Sequence, residues 1–168
     1  MSSRQHLHRR DLRHGPVHGP LAIPCGDARH ENAQFAALPW RRQADGSVKV
    51  LLITSRETRR WVIPKGWPMI GRTPCEAAAQ EAYEEAGLVG EAEGRPIGAY
   101  TYDKRLRDGT VRPVTVQVFA LEVMVERLSF PEQGQREKLW TDPATAAQLV
   151  DEPELKTLLA GFSPAKAR

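Results

Sequence analysis

Residues Gly66 to Leu88 read GWPMIGRTPCEAAAQEAYEEAGL. The second half of this run is a helix written with both of its ends. Thr73 precedes Pro74, and Glu76 stands three residues on, so the Thr73 hydroxyl can accept from the Glu76 amide while the Glu76 carboxylate returns to the Thr73 amide. Gly87 supplies a left-handed stop. The spacing predicts a helix over about Pro74–Ala86. At about 100° per residue, Glu84, Glu81 and Glu85 fall at about 280°, 340° and 20° from Pro74, within one arc of roughly 100°. Cys75, Ala79, Ala82 and Ala86 occupy about 80° to 140°, so a small apolar face is expected to pack on a sheet, turned away from the acids. Ala77 and Ala78 flank the acids with little bulk, which leaves room for an approaching ligand.

Carboxylates at i, i+3 and i+4 repel one another, and no Lys or Arg is interleaved between them. A hard divalent cation relieves that repulsion, because Mg²⁺ and Mn²⁺ take oxygen ligands and bind through a few carboxylates together with substrate phosphates. An acidic solvent face on a surface helix is the alternative.

Working outward, the pattern predicts short strands at Phe35–Trp40, at Val48–Thr54 after an Asp45-Gly46 turn, and at Trp61–Pro64, arranged as a meander. Beyond the helix it predicts strands at Ile97–Asp103 and Val114–Val125, joined as a hairpin through Asp108-Gly109, and a last strand at Glu137–Trp140. Two Pro-led helices follow, about Pro143–Val150 behind Asp142 and about Pro153–Ala160 before Gly161. Strands before, between and after helices specify an α/β layer fold. Residues 1–32, broken by Gly15, Pro16, Gly19, Pro20, Pro24 and Gly26, are expected to be a disordered, basic, His-rich tail. Residues 33–162 form the domain and 163–168 a C-terminal tail.

The 168-residue chain is formally +3. Its first 30 residues hold five Arg against two Asp, which is the whole excess, and all five His as well. The domain is therefore neutral, and the basic balance argues little for nucleic acid. Charge is instead ordered along the chain. Residues 41–72 carry eight basic groups against Asp45 and Glu57, and residues 73–94 carry six acids and no base. A basic lobe followed by an acidic helix suits holding an anion beside a cation. Cys25 and Cys75 lack metal-ligand or disulfide-framework spacing, which fits a reducing, cytoplasmic setting. No stretch approaches the roughly 20 apolar residues of a membrane helix, and the N-terminus lacks the apolar core of a signal peptide.

With those residues in view, the run Gly66–Leu88 resembles the box of the Nudix hydrolase family: Gly, five residues, Glu, seven residues, then Arg-Glu-aliphatic-x-Glu-Glu-x-Gly-aliphatic. Gly66, Glu81, Ala82, Glu84, Glu85, Gly87 and Leu88 stand at box positions. The resemblance implies an α/β/α sandwich with a mixed sheet and the family's loop-helix, covering about Gln34 to Gly161. Trp61-Val-Ile-Pro-Lys-Gly before the helix and Arg136-Glu-Lys-Leu-Trp after it look most like the branch that hydrolyses diphosphoinositol polyphosphates and diadenosine polyphosphates. Two positions depart. Arg72 stands where the family has its first Glu, and Gln80 where it has an Arg that orients a glutamate through a charge-assisted hydrogen bond; Gln80 offers only a neutral one, weaker by roughly half.

The resemblance implies metal-dependent hydrolysis of a phosphoanhydride in a nucleoside or inositol polyphosphate. Mg²⁺ or Mn²⁺ would be held by Glu81 and Glu85 with the Gly66 carbonyl, and Glu84 would accept the proton, although Glu81 and Glu84 can exchange roles within the family. Arg56, Lys65 and Arg72 are the leading phosphate contacts, with Lys104 or Arg105 and Arg136 behind them. Arg59 and Arg60 belong to the outer turn of the meander. Trp61 and Trp40 are expected in the core, with base stacking the alternative for Trp40, and Trp67 lines the pocket. The partner is a small polyphosphate, and the chain acts as a monomer or homodimer. Two other readings compete: a ligand-binding domain without catalysis, suggested by Gln80 and Arg72, and removal of pyrophosphate from RNA 5′ ends, suggested by the basic tail.

Overall fold

The computed structural model describes residues 32–164; the N-terminal tail and the last four residues of the C-terminal tail lie outside them. Eight strands and three helices follow in the order β1 (Ala33–Arg42), β2 (Val48–Thr54), β3 (Trp61–Val62), β4 (Lys65–Gly66), α1 (Pro74–Ala86), β5 (Leu88–Ala92), β6 (Gly98–Arg105), β7 (Val111–Glu126), β8 (Lys138–Thr141), α2 (Pro143–Leu149) and α3 (Pro153–Ala160).

The long strand β7 is the spine. It runs parallel to β1 from Ala33 opposite Thr115 to Trp40 opposite Glu122, and its other edge takes β6 in its first half and β5 in its second. The remaining pairings are antiparallel, so the sheet is mixed as expected. On the far side of β1 the sheet divides. Residues 40–42 pair with β2, residues 35–36 pair with β4, and the Ala37 amide donates to the Pro64 carbonyl at 3.0 Å between them. The segment 61–66 thus fills a wedge, joined to β2 by β3 and to β1 by β4.

Side-chain alternation sorts the core into two layers. Ala36, Leu38, Trp40, Val116, Val118 and Ala120 face α2 and α3, burying Ala146, Val150, Leu155 and Leu159. Phe35, Ala37, Phe119 and Leu121 face the other way and bury Ala77, Ala78, Ala82 and Ala86 of α1. This is the α/β/α sandwich, with one helix on one face and two on the other.

Helix α1 has the expected bounds and both expected ends. The Thr73 amide donates to Glu76 at 2.7 Å, the Glu76 amide donates to the Thr73 hydroxyl at 3.4 Å, and Gly87 sits at φ 74°. The Asp108-Gly109 turn also forms, joining Arg105 to Val111. Three readings need correction. The strand expected at Trp61–Pro64 breaks after Val62 and resumes as β4, because the chain must cross from β2 to β1. Strand β5 was not anticipated: five residues around Gly90 carry little period-two signal, and Gly90 is there because a Cβ would meet the Glu122 carbonyl at 1.8 Å. The buried face of α1 is rotated toward the acids. Ala77 and Ala78 are sealed against the sheet rather than left open, and Glu85 lies inside the buried face at 9% exposure.

Candidate active site

Strand β4 contributes only two residues, and both of their backbones meet α1. Gly66 lies so close to the Glu81 carboxylate that a Cβ would fall 1.8 Å from its Oε1. The neighbouring Lys65 amide donates to Glu85 Oε2 at 3.2 Å. The helix caps fix the rotation of α1, and the wedge fixes β4, so two carboxylates one turn apart are set against one backbone segment.

A third element closes the site. In the loop between β7 and β8 the Glu132 amide donates to the Glu84 carbonyl at 2.9 Å, docking the loop on the end of α1. Arg136 from this loop is buried, with 7% of its side chain exposed. Its guanidinium donates to Glu85, to Glu132 at 2.9 Å and to the Thr54 carbonyl at 3.1 Å. Glu84 accepts from Gln80 Nε2 at 2.7 Å, so the glutamine at the departed box position makes the neutral bond expected of it.

The electrostatics follow from this crowding. Burial, then the neighbouring charges of Glu85, Glu84 and Glu132, push the Glu81 carboxyl up to about 7, against a smaller opposing pull from Arg136. Burial also raises Glu85, while Arg136 and Lys65 pull it back. The Lys65 ammonium is lowered by burial, partly offset by Glu85 and Glu152.

The donors gathered here are carboxylate oxygens set against the β4 backbone, the chemistry of a hard divalent ion, and burial with the neighbouring charges of Glu85, Glu84 and Glu132 disfavours the negative charge of Glu81 until a cation is bound. That donor set fits Mg²⁺ or Mn²⁺. Among the described residues no three His, Cys, Asp or Glu side chains converge on a common point as they stand; Arg136 holds Glu85 and Glu132 toward itself.

The other expected contacts are distributed unevenly. Arg56 is exposed at the end of β2 and faces Glu132 at 3.5 Å and Gln135 at 3.4 Å. Arg72 is exposed on the loop leading into α1. Arg105 lies on the outer side of the β6–β7 hairpin, whereas its neighbour Lys104 reaches Trp67, with Nζ 5.4 Å from the ring centroid. Arg59 and Arg60 do sit on the turn after β2, but they pair with Glu137 at 2.6 Å and Asp151 at 3.0 Å. Trp40 is core, edge-on to Phe162, Trp61 packs on the same layer, and Trp67 stays 39% exposed. Glu132 was missed from sequence. Its loop has no periodicity, and the one available signal was its spacing of four residues before Arg136.

The NUDIX domain family model matches residues 31–162. Nudix hydrolase 13, mitochondrial, of Arabidopsis thaliana is 31% identical over 125 residues, 70% of this chain and 61% of that protein. Diphosphoinositol polyphosphate phosphohydrolase 2 of Rattus norvegicus is 35% identical over 81 residues, 48% of this chain and 44% of that protein. The chain thus spans less than two thirds of the length of these relatives. The solved structure of a C. elegans Ap4A hydrolase binary complex shares the fold, with a TM-score of 0.55 at 23% identity over 76% of this chain and 91% of that one. With a family model matching from the first strand to the last helix around these carboxylates, the chain belongs to the Nudix family.

Proposed function

We propose that the chain hydrolyses a phosphoanhydride bond in a nucleoside or inositol polyphosphate of the diadenosine polyphosphate or diphosphoinositol polyphosphate type. The observation that carries this reading is the close approach of Gly66 and Glu81, which sets a desolvated carboxylate against the β4 backbone, with Glu84 and Glu85 on the same helix and their charges acting on it. Glu81, Glu85 and the Gly66 carbonyl are the residues to hold Mg²⁺ or Mn²⁺. When bound, such an ion neutralises diphosphate charge and lowers the pKa of a water. Glu84, oriented by Gln80 and not engaged by Arg136, accepts the proton of the attacking water, with Glu81 the alternate acceptor. Arg136 keeps Glu85 and Glu132 aimed and relieves their mutual repulsion. Arg56, Lys65 and Arg72 take substrate phosphates, with Lys104 in place of Arg105, which lies on the outer side of the hairpin.

The Gln80–Glu84 bond favours this reading over a domain that binds without catalysis, because it retains the orientation that the family arginine would give. The RNA reading rests on the tail, which lies outside the described residues. We place the activity in the cytoplasm, on a small polyphosphate, in a monomer or homodimer; among the described residues no helix is long and apolar enough to cross a membrane. The test is Glu84→Gln assayed with Mg²⁺ and Mn²⁺ against diadenosine and diphosphoinositol polyphosphates. Turnover is expected to fall at least about a thousandfold while Mn²⁺ binding, read by electron paramagnetic resonance, persists. Undiminished turnover overturns the assignment.

A further inference from the structure

The sheet ends on β5. Among the described residues this strand pairs with β7 alone, and the extra residue of the irregularity between them, Met124, belongs to β7, so β5 itself is regular from Leu88 to Ala92. Two bonds at its ends fix the direction of its backbone groups. The Arg127 amide donates to the Gly87 carbonyl at 2.7 Å, and the Glu93 amide donates to the Ala120 carbonyl at 2.9 Å. Gly87, Val89, Glu91 and Glu93 therefore turn their backbone groups to β7, and Leu88, Gly90 and Ala92 turn theirs outward, where among the described residues no other strand meets them. A row of unpaired amides and carbonyls is a template for another strand, and β5 carries neither Pro nor Lys to blunt it.

The side chains mark the same edge. Val89, Glu91 and Glu93 alternate onto one face, and Arg127, opposite Gly87 and two residues past Val125, stands on that face as well. Val89, Met124, Val125 and Leu128 are exposed apolar residues at this end of the sheet. Glu91 stands opposite Glu122, and Glu93 lines a cavity of about 330 Å³ with Ile97, Leu158 and Phe162. Among the described residues none of Glu91, Glu93, Glu122 and Arg127 has an ion-pair partner.

We propose that β5 is the self-association edge of the chain: two copies pair antiparallel about a two-fold axis through Gly90 and join their sheets into one. This interface is independent of the reaction at the carboxylates. Strands β1 and β7 lie between β4 and the β5 edge, so both sites stay open in the dimer.

The edge is complementary to itself in this register. With Gly90 opposite Gly90, Leu88 faces Ala92 of the second copy, so outward-turned residues meet each other and each such pair exchanges two backbone bonds. A shift by one residue sets outward groups against inward ones. Gly90 puts no side chain on the axis. Val89 falls opposite Glu91 of the second copy and Gly87 opposite its Glu93, so no two acids oppose each other. Arg127 lies one strand beyond Gly87, about 10 Å between backbones from Glu93 of the second copy, a gap that an Arg and a Glu side chain span together. The pairing thus brings the base at one end of each edge to the acidic end of the other, twice by symmetry. A foreign strand would have to supply this alternation of base and acid, whereas a second copy already carries it.

Sedimentation velocity on the full chain, from micromolar to submillimolar concentration, measures the association, and the unmodified chain is expected to dimerise. Ala92→Pro removes an outward amide, which a fold tolerates where the N–H of an edge strand faces solvent, and is expected to weaken the dimer at least about tenfold. Arg127→Glu and Glu93→Arg each set like charges across the axis and are expected to weaken it about tenfold, and the two together in one chain to restore it to within about threefold. Circular dichroism verifies that each variant folds; where Ala92→Pro does not, the charge exchange decides. A chain that stays monomeric throughout, a dimer unmoved by folded Ala92→Pro or by the single reversals, or a double variant no tighter than the single ones overturns the proposal.

Discussion

Arg136 and Glu85, 51 residues apart, form an ion pair with only 7% and 10% of their side chains exposed, and the same guanidinium holds Glu132 and the Thr54 carbonyl. One arginine therefore ties the loop before β8 to the acidic helix and to the end of β2. Burial raises the Glu85 carboxyl even though a cation touches it, because the loss of solvent outweighs the pull of Arg136 and Lys65.

Replacing Arg136 by Met is expected to destabilise the fold by about 3–5 kcal/mol, the cost of leaving one side of a buried pair uncompensated. Urea unfolding measures it. The loss shrinks below about pH 5, where the abandoned carboxyls take up protons instead. A loss under about 1 kcal/mol at neutral pH means that the pair is solvated and does not hold the loop.

Gly66→Ala separates activity from stability. The added Cβ would meet the mobile end of Glu81 and not backbone, so the side chain can swing away and the fold is expected to lose no more than about 1–2 kcal/mol. Swinging away removes the Glu81 carboxylate from its place against Gly66, and kcat is expected to fall at least about a hundredfold. A variant with unchanged kcat removes Glu81 from the metal set.

Much of this was legible in the sequence because it is local. Thr73, Glu76 and Gly87 are neighbours of the backbone groups they cap, so α1 could be bounded to the residue, and the Asp108-Gly109 hairpin is equally self-contained. The split of the sheet around residues 61–66 was not legible. It depends on β1 pairing with β7 from across the chain, and two-residue strands carry no period. The rotation of α1 was misjudged for a related reason. Glu85 is buried only because Arg136 and the Lys65 amide compensate it, and neither partner is near it in sequence. Lys104 and Arg105 stood as alternatives in the sequence, and the choice between them depends on Trp67, over whose ring Lys104 lies.

The raised Glu81 carboxyl fixes the sign of a pH effect. Its ordinary value is 4.5 and its folded value about 7, so between these the metal-free fold keeps a proton that the unfolded chain has lost. Stability is full below about 4.5, falls as pH rises toward 7 and levels off above, with Glu85 adding in the same direction. Glu81 remains partly exposed, so the loss is discounted to about 1–2 kcal/mol. Thermal melts without metal measure it, and Glu81→Gln is expected to flatten the slope. Adding Mg²⁺ is expected to raise the melting temperature more at pH 8 than at pH 5. A metal-free stability that rises between pH 5 and 7 contradicts the assignment.

Gln80 offers the sharpest separation of orientation from charge. Its amide donates to Glu84 at 2.7 Å, and the side chain is half-buried, so water replaces that bond imperfectly when it is removed. A hydrogen bond from a neutral amide to an ionised carboxylate is worth about 1.5–3 kcal/mol, which corresponds to a fall in kcat of about tenfold to 150-fold in Gln80→Met if Glu84 accepts the proton. KM should stay within about twofold, since Gln80 is placed to touch Glu84 and not the substrate. Gln80→Arg puts a charge on the donor as well as the acceptor, which strengthens the bond, and is expected to raise kcat above that of the unmodified chain. Steady-state kinetics on the three proteins order them as Met below Gln below Arg. Equal kcat in Gln80→Met and the unmodified chain would mean that Glu84 needs no orientation, and would move the proton acceptor to Glu81.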